Sequence, residues 1–123
     1  MARLYGAVMD RVVPAVLAGG ATGAAGRWAI GEFGWSSATT LLAVNTIGCF
    51  VLGIVIAALP EREHPIRLAL GVGVCGGLTT FSELAVDLAR RLDAGDVGEA
   101  AAMGVLSLGL GLVAFRGGRA VSA

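Results

Sequence analysis

The residues with the most chemical potential lie between 71 and 91, GVGVCGGLTTFSELAVDLARR. An apolar run reaches Gly76-Gly77-Leu78-Thr79-Thr80-Phe81-Ser82 and then resumes helical spacing. Paired glycines and paired threonines are poor helix interior. A helix interrupted there frees backbone groups: carbonyls form a ligand set for a small cation, whereas N–H groups and hydroxyls favour an anion. Within a bilayer such a break is tolerated only where it is buried in protein or lines a wet cavity, which makes it a candidate site. Asn45 is the second candidate, a polar residue deep in an apolar run with Thr46 beside it. An unpartnered buried amide is costly, so Asn45 either bonds a neighbouring helix or faces water, and its NH2 group can donate to an anion losing its hydration. Arg27 is the third, the only charge between residues 12 and 30. It either snorkels to an interface or sits in a polar vestibule that draws anions in.

The elements that must position these groups are apolar. The chain has 123 residues, 56% of them hydrophobic, and a mean hydropathy of +0.82. Soluble domains sit near roughly 45–50% apolar, so an integral membrane protein is expected. Four spans are read, at about 12–30, 38–59, 66–92 with a break at 76–80, and 97–115, as one four-span transmembrane domain. The first is a retained span rather than a signal peptide. Gly19, Gly20, Gly23 and Gly26 among alanines in the first span, and Gly104, Gly109 and Gly111 in the fourth, are small residues at spacings that let helices approach closely in lipid. Trp35 suits an interfacial belt. The fourth span has Ser107 as its main polar group, and Asp87 and Arg91 stand four apart, a pairing distance on one helix face.

Several chemistries are excluded. The nine arginines and nine acids balance, with no lysine, so there is no net basic field to attract nucleic acid. Cys49 and Cys75 lie in apolar runs and read as small core residues rather than a disulfide or metal pair. His64, between charged loop residues, reads as an ordinary exposed side chain. There is no nucleotide loop, catalytic triad or metal-ligand spacing, so no enzyme is expected. One four-helix unit can hardly enclose a pore alone, so oligomerisation is expected. Four spans put Arg3, Arg11, Arg62, Arg67, Arg116 and Arg119 on one side and Arg90 and Arg91, with Arg27 nearby, on the other, which favours cytoplasmic termini.

The first-span GGATGAAGRW, the second-span VNTIGCFVLG and GVCGGLTTFSEL in the third resemble the Fluc/CrcB family of small fluoride channels over nearly the whole chain. The resemblance implies two four-span subunits packed antiparallel, two fluoride pores, and a structural sodium ion at the interface held by backbone carbonyls of the broken helices. Carried over by position, Gly76 and Thr79 belong to that sodium cage, with Gly77 and Thr80 one place away. Arg27 matches the vestibule arginine, Asn45 the pore asparagine, Phe81 the first of a phenylalanine pair, Ser82 and Ser107 polar pore positions, and Asp87 a usual acid. Phenylalanine ring edges carry the positive end of the quadrupole, so an anion beside them is physically sensible. The implied function is passive export of fluoride across the cell inner membrane, giving resistance to its toxicity. Three positions depart from the pattern: Leu84 stands for the second phenylalanine, Leu41 for a threonine and Met103 for a tyrosine. Some members pair as two different chains, and these losses with the arginine bias fit a subunit of fixed orientation that needs a paralogous partner; a homodimer is the other possibility. Two rivals stand beside this reading. A small multidrug-type four-span transporter needs a carboxylate in its first span, and residues 12–30 contain none. A non-conducting assembly subunit, or partner of a conducting one, is the other.

Overall fold

The computed structural model describes the backbone of residues 2–122 and the side chains of residues 9–122; Arg3 lies outside the described side chains. The described residues form helices α1 (Ala2–Gly31), α2 (Ser37–Ala58), α3 (Pro65–Leu68), a π-helical segment (Ala69–Cys75), α4 (Gly76–Leu78), α5 (Phe81–Asp93) and α6 (Val97–Ala120). The run from Pro65 to Asp93 is one interrupted rod, so the architecture is four helical rods.

Local chemistry sets the boundaries. The loop between α1 and α2 turns through Gly34 at φ 76°, a left-handed conformation that costs glycine nothing. Ser36 then caps α2, its hydroxyl accepting from the Thr39 N–H at 3.2 Å, which satisfies one of the free donors of a helix start. His64 caps α3 in the same way, Nδ1 accepting from the Ile66 N–H at 3.3 Å. Arg67 donates to the carbonyls of Leu59 and Pro60 at 2.9 and 2.8 Å, closing the end of α2 onto the next rod. The α5–α6 turn pivots on Gly95 at φ 85°.

The rods pair through glycine. On α1, a Cβ at Gly19 would strike the carbonyl of Ala69, and one at Gly23 the carbonyl of Val74; a Cβ at Gly77 would in turn strike the carbonyl of Gly20. The first half of the broken rod therefore lies backbone to backbone on α1, the approach that small residues permit in membranes. Gly53 and Gly118 do the same between α2 and α6, against the carbonyls of Phe115 and Phe50. The contacts run in the same order along both partners, so each pair is parallel.

Little apolar surface is hidden within the protomer. The buried hydrophobic residues are Leu41, Val44, Val55, Cys75, Leu84, Ala100 and Met103, whereas Leu17, Trp28, Phe33, Val105, Leu108 and Val113 are each 68–72% exposed. An outward apolar surface of this kind needs lipid or a partner. Among the described residues three helices are long and apolar enough to cross a membrane: Ser37–Ala58, Pro65–Asp93 and Val97–Ala120. The first span expected from sequence is a long helix, Ala2–Gly31, yet it is not among those three. Its glycines, and Arg27, dilute its apolar weight.

Candidate functional site

The break is narrower than the sequence reading had it. Gly76, Gly77 and Leu78 remain helical, and only Thr79 (φ −82°, ψ 156°) and Thr80 (φ −147°, ψ 113°) are extended. Glycine pairs do not by themselves unwind a helix; here Gly77 serves the close approach to α1. The interruption comes from the threonines, whose hydroxyls offer the backbone local alternatives. Thr79 Oγ1 and its own N–H both bond the Cys75 carbonyl, each at 2.9 Å, which ends α4. Thr80 Oγ1 accepts from the Glu83 N–H at 3.2 Å and bonds Ser82 Oγ at 3.2 Å, which starts α5. Thr80 is 6% exposed.

Asn45 holds the break from outside. Its Oδ1 accepts from the Thr80 N–H at 2.8 Å and its Nδ2 donates to the Thr80 carbonyl at 3.2 Å. Of the two alternatives open in the sequence, the amide takes the neighbouring rod, and it closes both backbone groups of one extended residue. One N–H of the amide satisfies Thr80; the amide carries a second. Arg27 Nη1 approaches the Thr79 carbonyl at 3.4 Å, so the half-buried guanidinium sits against the break.

Beside the break lies a groove of about 250 Å³ that Asn45, Thr79, Phe81 and Ser107 line, with Gly48, Cys49, Leu52, Leu84 and Leu108. Three of the five pore candidates, Asn45, Phe81 and Ser107, therefore meet in one place, beside the cage candidate Thr79. Phe81 is 79% exposed, its ring standing out from the protomer. Ser82 falls elsewhere. It lines a second cavity of about 570 Å³ with Trp35, Ser37, Thr40, Glu83, Asp87 and Arg90. Gly76 is exposed, with open space where a Cβ would be. Among the described residues no backbone N–H crosses the break to the Gly76, Gly77 or Leu78 carbonyl, and no group of His, Cys, Asp and Glu could hold a metal. Any cation here would meet neutral oxygens, those of the backbone and of the neighbouring hydroxyls and amide. Asp87 is bonded by Arg91 Nε at 2.7 Å within α5, and Arg91 Nη1 reaches Glu99 at 2.7 Å, so Arg91 links α5 to α6 while Asp87 steadies it.

Sequence reasoning missed Cys49 and Gly48 as groove residues and Thr40 as a cavity residue. The signal was present for Cys49, which follows Asn45 by four positions and so shares its helix face.

The family model described as CrcB-like protein, Camphor Resistance (CrcB), matches residues 14–119. The chain belongs to the CrcB family. Among its curated relatives, one from Pseudomonas fluorescens named "Fluoride-specific ion channel FluC" is 38% identical over 116 residues, covering 86% of this chain and 92% of the relative. "Fluoride-specific ion channel FluC 1" of Mycobacterium bovis is 40% identical over 115 residues, covering 85% and 84%. A Thermus thermophilus relative named "Fluoride-specific ion channel FluC" is 41% identical over 98 residues, 76% of each chain. For a CrcB protein with these three apolar helices, a multi-pass membrane location follows.

Proposed function

We propose that the chain is a subunit of a fluoride-selective channel that exports fluoride passively across the cell inner membrane. The observation that carries this is the groove, which Asn45, Ser107 and the Phe81 ring line together among mostly apolar neighbours. The relatives' printed names, ion channels rather than enzymes, supply the ion.

Fluoride is small and strongly hydrated, so the barrier is loss of water. Donors must replace that water, and their number and field strength discriminate against larger chloride. The second amide N–H of Asn45, the Ser107 hydroxyl and the positive ring edge of Phe81 are such donors. Arg27, beside the break, raises the local concentration of anions. An inside-negative potential expels the anion at ~2.3 kcal/mol per charge per 100 mV, with no proton or nucleotide coupling.

A single groove open on one side does not enclose a pore. The partner is a second subunit, packed antiparallel across the exposed face that bears Gly76 and Phe81. A structural sodium ion fits this face by the chemistry of its donors: neutral oxygens, of which the Gly76, Gly77 and Leu78 carbonyls have, among the described residues, no backbone donor across the break, the kind of set that unwound helices offer sodium. Gly76 and Thr79 would hold it, with Gly77 and Thr80 adjacent, and it would neutralise facing carbonyl dipoles where two broken rods cross. Thr79 shares its carbonyl with Arg27, so Gly76 is the less encumbered ligand.

The test is fluoride efflux from proteoliposomes, followed with a fluoride electrode, for the chain alone and with a co-expressed paralogue. Efflux above empty vesicles in either case, with chloride excluded, is the expected result. No efflux in both, together with unchanged fluoride sensitivity of cells lacking the gene, would sink the reading.

A further inference from the structure

Asn45 and Ser107 present donors to the groove, but one helical turn toward the larger cavity the chemistry inverts. Leu41 precedes Asn45 by four residues and Met103 precedes Ser107 by four, so each lies directly along its helix from a donor. Leu41, Met103 and Leu84 form one buried cluster, at 4%, 6% and 5% exposure, with Ala38, Leu42 and Leu88 packed around it. The cluster stands between the two cavities. Leu41 lines the 570 Å³ cavity, Leu84 lines the 250 Å³ groove, and the two linings share no residue. A continuous path between them along α2, α5 and α6 would pass through three side chains that carry no hydrogen-bond donor.

We infer that Leu41, Leu84 and Met103 form a dry seal that closes this subunit's own route between the polar cavity and the groove. The inference rests on the channel reading for its meaning but not for its geometry. A buried apolar constriction excludes water, and a strongly hydrated anion does not cross a segment that neither wets nor replaces its water; this is how hydrophobic gates act. The three residues come from three different helices, so the seal is a layer of the bundle and not one bulky side chain. In an assembly of two identical copies both routes would carry it. Conduction then requires a second, different chain that supplies donors at this layer, or a change that wets it.

Two measurements separate the seal from the channel reading. In a Cys49→Ala/Cys75→Ala background reconstituted in liposomes, a thiol placed by Met103→Cys should react with an aqueous methanethiosulfonate at least ~10-fold more slowly than one placed by Ser37→Cys in the larger cavity. Comparable rates would overturn the seal. Fluoride efflux is then compared between the unaltered chain, the near-isosteric polar variant Leu41→Asn/Met103→Gln, and the apolar control Leu41→Ile/Met103→Leu, each checked for a monodisperse elution profile. The polar variant should exceed the other two by at least ~10-fold. Efflux of the unaltered chain alone that the polar pair does not raise would also overturn the seal. Slow thiol reaction with no efflux in any variant leaves the seal standing and counts against the channel.

Discussion

Asn45 makes two hydrogen bonds to one residue, Thr80, and these divide its possible roles. Asn45→Ala removes both, leaving the Thr80 N–H buried without its acceptor, a loss of about 1–3 kcal/mol; thermal unfolding in detergent should show it. Asn45→Asp keeps an acceptor for that N–H but puts a negative charge where an anion must pass. The aspartate variant, in which a carboxylate oxygen replaces the donor to the Thr80 carbonyl, should lose some stability but still elute as folded protein while carrying no fluoride, whereas the alanine variant loses the acceptor for the Thr80 N–H as well. If the aspartate variant conducts normally, the amide is only a clip for the backbone. Arg27→Ala should slow efflux most at low fluoride, since it removes a means of concentrating the anion and not a donor to the dehydrated one; a fluoride titration of initial rates distinguishes the two. The sequence marked Asn45 as a polar residue needing a partner but could not show which. Thr80 is 35 positions away, and only the packing of two rods brings it near.

At the scale of the element, the broken rod shows where sequence propensity misleads. Gly76 and Gly77 look like the point of rupture, yet their helical backbone is intact and Gly77 is needed for contact with α1. The rupture falls on the two threonines, whose side chains compete for the backbone. Thr80→Ala should cost about 1 kcal/mol through loss of the α5 cap. Gly77→Ala should cost about 1–3 kcal/mol because its Cβ meets a main-chain carbonyl that cannot rotate away. By contrast, Gly76→Ala meets open space in the protomer, so its unfolding temperature should hold while the dimer fraction by light scattering falls. An unchanged dimer fraction would remove Gly76 from the interface. The small-residue spacing in α1 was legible as a packing face, whereas the coalescence of Leu41, Leu84 and Met103 was not. These residues are read from sequence as separate losses, and only the parallel run of α2 and α6 brings them into one layer.

At the scale of the molecule, a chain that buries so few apolar side chains leaves much of its stabilisation to whatever covers its outer surface. If two copies share a sodium ion, exhaustive removal of sodium in favour of a large organic cation should lower the unfolding temperature of the detergent-solubilised dimer. It should not lower that of an interface-disrupted monomer. The apolar class of the chain and its succession of helices were legible from composition and punctuation. The π-helical stretch from Ala69 to Cys75 was not, because its residues would serve an ordinary α-helix equally well. Its presence fixes how the rod is phased. A π turn accommodates an additional residue without breaking the rod, and each residue of an α-helix turns the chain by about 100°. Deleting Val72 alone would let the stretch relax to α-helix and leave the residues beyond it on their present faces, with Thr80 still against Asn45, whereas the same deletion in an ordinary helix would turn them by about 100°.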